Sequence, residues 1–450
     1  MKLWEKGIKT RQIVTDFTVG NDREWDLYLA EADIEGSMAH ALMLNQIGYL
    51  GTEETEKLKL FFLEVLNTIH SGTFKIDPEM EDVHSQIEFM IIERLGDTGR
   101  KIHIGRSRND QVLVDLKLFY RKEILDLGTE IIHLFEVMIE SSERFKSEFL
   151  PGYTHLQVAM PSSFGLWFGA YAEALGNDLE NFLLAFKFAN RNPLGSAAGY
   201  GTSLPINREL TTKLLGFDEM DINAAYSQIS RGKTELSLAQ ALAGIALSLN
   251  KFATDICLYN NQDFGFIKLP DEYTTGSSIM PHKKNPDVFE LIRGKTNLLM
   301  SIQSQITQLH SNLPSGYHRE FQLTKDLLFP ALKEIHSILA ILTEVIPQIE
   351  VSHNILDNPK YQYIYSVDRV HEKVARGIPF RNAYQEVAEE IRKGEFEVPK
   401  TAKHTHTGSI GNLSNAQLQF RVSKTFTQFP YSHIKQSLHQ LFLPLNSPKN

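Results

Sequence analysis

The chain has 450 residues, of which 42% are hydrophobic and 22% are charged, a composition typical of a globular protein with several domains. Its net charge of −9 and its pI near 6.0 argue against a nucleic-acid-binding protein, because such proteins usually contain a basic domain. The single cysteine, Cys257, excludes a disulfide framework within the chain and fits a reducing compartment, so we expect a cytoplasmic protein.

The first residues, MKLWEKGIKTRQ, are charged and lack the apolar run of a secretory signal. No apolar run in the sequence approaches the ~20 residues needed to cross a bilayer. We therefore expect neither secretion nor a membrane partner.

Apolar residues at helical spacing predict helices at residues 33–50 and 54–70, followed by much longer ones. The first long helix starts after Asp110 and continues towards Phe145, well beyond the ~11–12 residues of an average helix. Further long helices are predicted at residues 162–190, 233–259, 287–310 and 323–346, the last of them interrupted by Pro330. Strand-like patterns are scarce.

These five long helices are apolar on more than one face, which predicts an all-α fold with a central helical bundle. One subunit offers too few partners for all of these faces, so we expect bundles from several subunits to associate. Changes in the pattern divide the chain into an N-terminal helical domain (1–109), a central long-helix bundle (110–350) and a small C-terminal helical domain (351–450).

Polar loops of unusual composition separate the helices: KIHIGRSRNDQ (101–111), PGYTHLQVAMP (151–161), GSSIMPHKKNPD (276–287) and LPSGYHREFQLTKD (313–326). Each of them has an ordinary structural interpretation. An Asn or Asp of the first loop would cap the next helix, His155 of the second would be a core histidine, and the lysine pair of the third would be a solvated charge run. The glycine and prolines of the third segment exclude a helix or a strand, and chance would seldom assemble its full twelve-residue string.

The side chains of these loops suit a pocket for small polyanions such as dicarboxylates. Lysine, asparagine and threonine bind carboxylates, whereas serine and histidine transfer protons. The sequence contains no Walker A, GxGxxG or GxSxG pattern, and the two histidines of HTHTG (404–408) are interpreted as part of a solvated loop. We therefore expect a small-molecule site that uses no metal and no cofactor.

The same loops resemble those of the argininosuccinate lyases, within the fumarase/aspartase superfamily. GSSIMPHKKNPD is similar to the signature loop of the superfamily, and its KKNPD ending is similar to the argininosuccinate lyase version. IHIGRSRNDQV, PGYTHLQ and NPLGSAAGYGTSLPINRE are similar to three further family loops, so the resemblance covers nearly the whole chain. It implies an all-α, three-domain subunit whose long central bundle associates into a homotetramer, with each site shared between subunits.

The resemblance also implies the reversible elimination of argininosuccinate to arginine and fumarate, a step of arginine biosynthesis. The proton to be removed lies next to a carboxylate and is barely acidic, so preorganised donors must stabilise the charge that develops. By resemblance Ser277 is the base, activated by backbone N–H groups and Lys283, and His155 is the acid towards the departing guanidinium. The resemblance leaves open which of the two is acid and which is base.

The resemblance further implies a set of substrate-binding residues. They are Asn109, Thr154, Lys283, Asn285, Tyr317, Gln322 and Lys325, together with Ser107, Arg108 and His84 from matching loops.

The sequence departs from the family pattern in three places. His282 stands where glutamine is usual, and Asn21 and Asp22 lie near the position of a usual serine. The stretch YSQISRGKTE (226–235) replaces the usual S-D-R-D, with Arg231 in the place of its arginine.

Two other functions stay open from the sequence. One is a different lyase of the superfamily that releases fumarate from another adduct; residues 313–326 and the N-terminal segment would distinguish it. The other is a non-catalytic structural protein on this fold, as the lens crystallins show. The presence of Ser277 and His155 favours an active enzyme over that second alternative.

Overall fold

The structure is a computed structural model that describes residues 11–398 and 404–444. Within them the chain starts with six helices: α1 (Gln12–Val19), α2 (Asp22–Asp26), α3 (Ala30–Gln46), α4 (Thr52–His70), α5 (Val83–Leu95) and α6 (Asp97–Arg100). The two helices predicted in this region are confirmed as α3 and α4. Helix α5 begins where the side chain of Asp82 accepts the N–H of Ser85 at 2.7 Å, which satisfies one free donor of the first turn.

The central part of the chain consists of long helices joined by short strands and helices. In chain order these are α7 (Arg108–Arg144), β1 (Phe149–Thr154), β2 (Gln157–Ser163), α8 (Phe164–Ala189), β3 (Arg191–Asn192), α9 (Arg208–Leu214), β4 (Glu219–Met220), α10 (Ala224–Ile229), α11 (Lys233–Tyr259), β5 (Ile267–Lys268), α12 (Asp287–Leu309), α13 (Thr324–Val345) and β6 (Glu350–Val351). The five predicted long helices are confirmed as α7, α8, α11, α12 and α13.

These five helices form the predicted bundle. Helix α7 packs on α8 and α13, α8 packs on α11, and α11 packs most extensively on α12. The buried alanines Ala239, Ala246 and Ala253 of α11 let its neighbours approach closely. Aromatic rings fill the remaining space, with Trp167 stacked on Phe252 at a centroid distance of 5.2 Å.

The predicted interruption at Pro330 is wrong, because α13 continues through this residue. Proline removes one helical hydrogen bond and is costly inside a helix. Here Pro330 lies on the exposed face, where water can reach the carbonyl group that loses its donor. The buried neighbours Phe329 and Ala331 hold both sides of the helix against the core.

Three two-stranded sheets occur in the part of the chain that the structure describes. The pairs β3–β4 and β5–β6 are only two residues long, whereas β1 and β2 form an antiparallel hairpin that pairs Thr154 with Gln157. The interpretation of residues 151–161 as a loop is therefore wrong. Pro151 and Pro161 face each other in a ribbon that has free edges, where a missing N–H costs little.

The last described helices are α14 (Ser366–Ala375), α15 (Phe380–Lys393), α16 (Asn415–Phe426) and α17 (Tyr431–Gln440). Helices α14 and α15 share a small apolar cluster of their own, whereas α16 packs on α8 and α17 on α9. His404 is partly buried and lies 2.8 Å from Asp368, so the interpretation of HTHTG as a fully solvated loop does not hold for this residue. The division into three domains stays a prediction.

By length and composition, one stretch among the described residues, Ala224–Tyr259, is apolar enough to cross a membrane. Half of its apolar window is buried inside the fold, because α11 lies between α8 and α12. Its apolar surface is thus used for packing within the bundle.

Candidate active site

A cavity of about 360 Å³ lies where α7 and α13 begin and where the chain enters α11. Half of the predicted site residues line it: His84, Arg108, Asn109, Tyr317, Gln322 and Lys325. Asp22 and Arg231, which belong to two stretches that depart from the family pattern, line it as well. The cavity therefore collects charged groups of both signs from the first, middle and last parts of the described chain.

Lys325 is buried at the start of α13 and shares its ammonium group between two carboxylates. Its Nζ lies 2.6 Å from Asp22 and 2.6 Å from Asp26, which are four residues apart on the same face of α2. Burial raises the pKa of Asp22 to about 7, against the opposing charge of Lys325 and with a further contribution from Asp26. Two carboxyl groups thus share one ammonium on this wall of the cavity, and Asp22 is the one that takes up a proton near neutral pH.

Arg231 gives the same cavity a cation that forms no ion pair with any residue the structure describes. The residue is 6% exposed, and its Nε and Nη1 have no hydrogen-bond partner among the described residues. Its guanidinium carbon lies 4.9 Å from the ring centre of Phe321 and 5.9 Å from that of Tyr317. Buried guanidinium groups normally pair with acceptors, so Arg231 is ready to bind an anion.

Arg108 and Asn109 reach the cavity from the first turn of α7. Ser107 does not line it, because this residue is the N-cap: its hydroxyl accepts the N–H of Asn109 at 3.3 Å. The expected Asn or Asp cap is thus Ser107. Asp110 completes the capping box and also accepts the N–H groups of Gly195 and Ala197, which ties the glycine-rich loop to α7.

Thr154 and His155 lie at the tip of the β1–β2 hairpin and are exposed, outside the cavity. His155 and Leu156 form its two-residue turn with φ values of 54° and 57°. Both values lie in the left-handed region that favours glycine or asparagine. The alternative of a core histidine is therefore wrong, because His155 is exposed at the turn.

The loop 276–287 also lies outside the cavity in the described chain. A backbone bridge between Thr275 and Asn285 closes its base. Inside it the Oγ of Ser277 accepts the N–H of Met280 at 3.2 Å and of Ile279 at 3.4 Å. Backbone N–H donors of this kind can stabilise negative charge on an oxygen.

The remaining members of that loop are open to solvent. His282 and Lys283 are exposed, and Lys284 forms an ion pair with Asp271. Lys283 and Asn285 are thus placed beside Ser277 but have no contact with the cavity of the same chain.

Sequence reasoning missed three buried acids around this cavity, Asp26, Asp33 and Asp115. They stand inside or beside helices rather than in the polar loops. The only available signal is an acidic residue among apolar neighbours in helices otherwise predicted to be buried, as in EADIEG and LVDLK.

Comparisons with known proteins agree with this architecture. A model of a family described as lyase matches residues 7–300. The chain is 51% identical to the argininosuccinate lyase of Parabacteroides distasonis, over 98% of this chain and 99% of that protein. It is 40% identical to the argininosuccinate lyase of Thermotoga neapolitana, over 86% of this chain and 98% of that protein.

Among solved structures, an EDDS lyase in complex with formate superposes with a TM-score of 0.76 at 20% identity, covering 97% of this chain and 94% of that one. This likeness shows a shared fold. The matches in sequence extend over nearly the full length of both partners. The chain therefore belongs to the lyase family of that model and, within it, to the argininosuccinate lyases.

Proposed function

We propose that this protein is a cytoplasmic argininosuccinate lyase, a carbon–nitrogen lyase of arginine biosynthesis that converts argininosuccinate reversibly into arginine and fumarate. The observation that carries the proposal is the cavity that contains both the unpartnered Arg231 and the doubly paired Lys325. Argininosuccinate carries several carboxylates, an ammonium group and a guanidinium group. Its carboxylates suit Arg231, and its cationic groups suit the carboxyl groups of Asp22 and Asp26 beside Lys325.

The reaction requires a base and an acid on opposite sides of one carbon–carbon bond. The base removes a proton next to a carboxylate, and the electron pair left behind forms the double bond of fumarate. The carbon–nitrogen bond breaks, and its electron pair leaves with the guanidino nitrogen, which takes up a proton. Ser277 is the proposed base, because its Oγ already accepts two backbone N–H groups that would stabilise the alkoxide.

His155 is the proposed acid. If His155 were the base and Ser277 the acid, the same residues would still form the site. Lys283 and Asn285, beside Ser277, are proposed to bind the carboxylates of the fumarate half. Thr154 is proposed to contact the same half from the hairpin tip. Arg108, Asn109, Tyr317, Gln322 and Lys325 are proposed to bind the substrate within the cavity, with His84 and the cap residue Ser107 supporting them.

The active site is proposed to be completed by other subunits of a homotetramer. Each chain presents its hairpin tip and its loop 276–287 outside its own cavity. The central helices also expose a set of leucines that one chain leaves uncovered: Leu184, Leu247, Leu291 and Leu298. Association through these faces would bury apolar area and bring loops of different chains together.

The departures from the family pattern are proposed to adjust the grip on the substrate. Asp22 adds a carboxylate that suits an ammonium or guanidinium group, and Arg231 suits a carboxylate. His282 is exposed on the loop 276–287 and would approach the substrate only when that loop closes.

Ultraviolet absorbance of fumarate, measured with purified protein and argininosuccinate, tests the proposal. The wild type is expected to release fumarate, and Ser277→Ala is expected to lose at least about 100-fold in kcat, the usual effect of removing a proton-transfer group. His155→Asn should fall as well. Ser278→Ala is the matched control, because this neighbouring serine is exposed and has no assigned role.

Light scattering on each variant would show whether the assembly is intact. An assembled wild type that releases no fumarate from argininosuccinate would overturn the proposed substrate. Adenylosuccinate and aspartate would then be assayed, and failure of all of them would favour a structural role.

A further inference from the structure

His84 lies at the junction of three helices, next to two buried acidic side chains. It belongs to α5 and is 2% exposed. Its Nδ1 lies 3.1 Å from Asp33 Oδ1 on α3 and 3.2 Å from Asp115 Oδ2 on α7. The ring also lines the cavity, so Nε2 is the nitrogen that remains for a ligand.

The two carboxylates differ in their surroundings and therefore in their charge. Burial opposes ionisation of Asp33, but hydrogen bonds from His84 and Gln111 and the charge of Arg106 hold its pKa well below the usual range. The Nε2 of Gln111 donates to Asp33 Oδ1 at 2.5 Å. Asp33 is thus the anion of the pair.

Asp115 is the protonated member. Neither of its oxygens meets hydrogen-bond criteria with any described residue. Burial and the charge of nearby Asp33 raise the pKa of Asp115 well above its usual value. With Asp33 charged and Asp115 neutral, a proton on Nδ1 of His84 completes the arrangement.

A divalent metal ion is the other occupant that these three side chains suggest, since their ligand atoms lie within 4.8 Å of one another. Two features disfavour it. The buried guanidinium of Arg106 adds a positive charge next to Asp33 and Asp115. Moreover, the amide of Gln111 already donates to the Asp33 oxygen that faces His84. The negative charge of Asp33 is thus already compensated without a metal ion.

We propose that Asp33 is a positioning residue that holds His84 with both ring nitrogens protonated, so that Nδ1–H donates to Asp33 and Nε2–H is directed into the cavity, where it donates to a carboxylate of the substrate. This inference rests on the proposed lyase function. The other charged groups that share this side of the cavity are Arg108, Asp82, Asp26 and Lys325. None of them has a hydrogen bond to His84, so the orientation of the ring depends on its hydrogen bond to Asp33.

Two isosteric variants separate the roles of the two acids. Asp115→Asn keeps a neutral side chain of the same shape and should leave kcat and KM within about threefold of the wild type. Asp33→Asn removes the anion and should raise KM for argininosuccinate by roughly 10–100-fold, the effect of one charge-assisted hydrogen bond, with a smaller change in kcat.

The KM of His84→Gln, compared with that of His84→Ala, distinguishes a hydrogen-bonding role of His84 from a purely structural one. Its amide can replace the Nε2–H donor, so it should retain a lower KM than His84→Ala. In the His84→Ala background, Asp33→Asn should add little further rise in KM, because its effect acts through His84. Thermal unfolding and light scattering would confirm that each variant folds and assembles.

Several outcomes would overturn the inference while the lyase function stands. One is an impaired but well-folded Asp115→Asn, which is informative even if Asp33→Asn fails to fold. Others are equal KM values for His84→Gln and His84→Ala, or full additivity of Asp33→Asn with His84→Ala. A metal-dependent gain of activity would point instead to a cation bound by Asp33, His84 and Asp115. A wild type without fumarate release would defeat the lyase function and this inference together.

Discussion

Single residues in this protein carry charge into places that water barely reaches. Lys325 is held between Asp22 and Asp26, and His84 is held by Asp33. Arg231 lies against aromatic rings and forms no ion pair within the described part of the chain. Buried charges are costly unless they are paired, so each unpaired group marks a place for a charged ligand. The clearest instances are the carboxyl group of Asp22, which shares Lys325 with Asp26, and the Nε and Nη1 of Arg231, which have no hydrogen-bond partner among the described residues.

A histidine outside the cavity makes the stability of the bundle depend on pH. His336 of α13 lies 2.8 Å from Glu130 and 3.1 Å from Glu123, both on α7. Burial alone would lower the pKa of His336, but the two glutamates raise it to about 9. The charged form therefore joins α7 to α13 over most of the accessible pH range.

This arrangement gives a prediction with a definite sign. Because the pKa of His336 is higher in the folded than in the unfolded chain, its stabilising effect is complete below about pH 6.5 and is lost as the pH rises through about 9. His336→Gln should lower the free energy of unfolding by about 2 kcal/mol at the acidic end of this window and by much less above it.

Denaturant unfolding of both proteins at a series of pH values would measure the difference. His133→Gln is the control, because this histidine is exposed on α7 and has no ion pair among the described residues. A difference between the wild type and His336→Gln that stayed constant across the window would contradict the assigned cause.

At the scale of elements, the long helices follow from the sequence because their apolar residues recur over many turns. Helix α11 starts and ends at the predicted residues. The β1–β2 hairpin cannot be predicted from the sequence in this way. Its strands contain prolines, and its turn places His155 and Leu156 in a backbone conformation that their residue types disfavour.

The candidate site followed from the sequence only in part. The polar loops and the family resemblance predict Ser277, His155 and Lys325 as site residues, and of these Lys325 lines the cavity of the same chain. The buried acids Asp33 and Asp115 were not identified, because one acidic residue does not alter the apolar period of its helix. Only the packing of α3, α5 and α7 shows that these acids meet at His84.

The strained turn of the hairpin can be tested directly. Leu156 has a φ of 57° and is 79% exposed, so its side chain gains little from packing within the described chain. Leu156→Gly should raise the free energy of unfolding by roughly 0.5–1 kcal/mol, because glycine adopts this conformation without a Cβ clash. Thermal or denaturant unfolding would measure the gain.

Val158→Gly is the matched control for this variant. Val158 is also exposed but lies in β2, where glycine weakens a strand, so this change should be destabilising. If both glycine variants were destabilised alike, strain at the turn would not be the explanation, and cover by another subunit would become the better one.

At the scale of the whole molecule, the exposed leucines of the bundle predict association. Leu291 is 60% exposed and Leu298 is 70% exposed, seven residues apart on one face of α12. Leu298→Glu should shift the mass measured by light scattering towards dimers or monomers, because a charge would be buried in the apolar contact. Phe420→Glu on α16 is the control, being equally exposed but outside the central helices. Unchanged mass for Leu298→Glu would exclude this face from the assembly.

A shared active site has a consequence that a complete single-chain site would lack. Ser277→Ala removes a group from the loop 276–287, whereas Arg231→Met removes one from the cavity, where its unpartnered guanidinium contributes little to folding. Each variant alone should be nearly inactive. Co-expressed in equal amounts, they should regain about a quarter of the wild-type activity, because that fraction of sites draws an intact loop from one subunit and an intact cavity from another.

If both groups came from the same chain, the mixed assemblies would stay inactive, since each chain carries one defect. Fumarate release from the purified mixed assembly, compared with each variant alone, therefore decides whether catalysis requires neighbouring subunits.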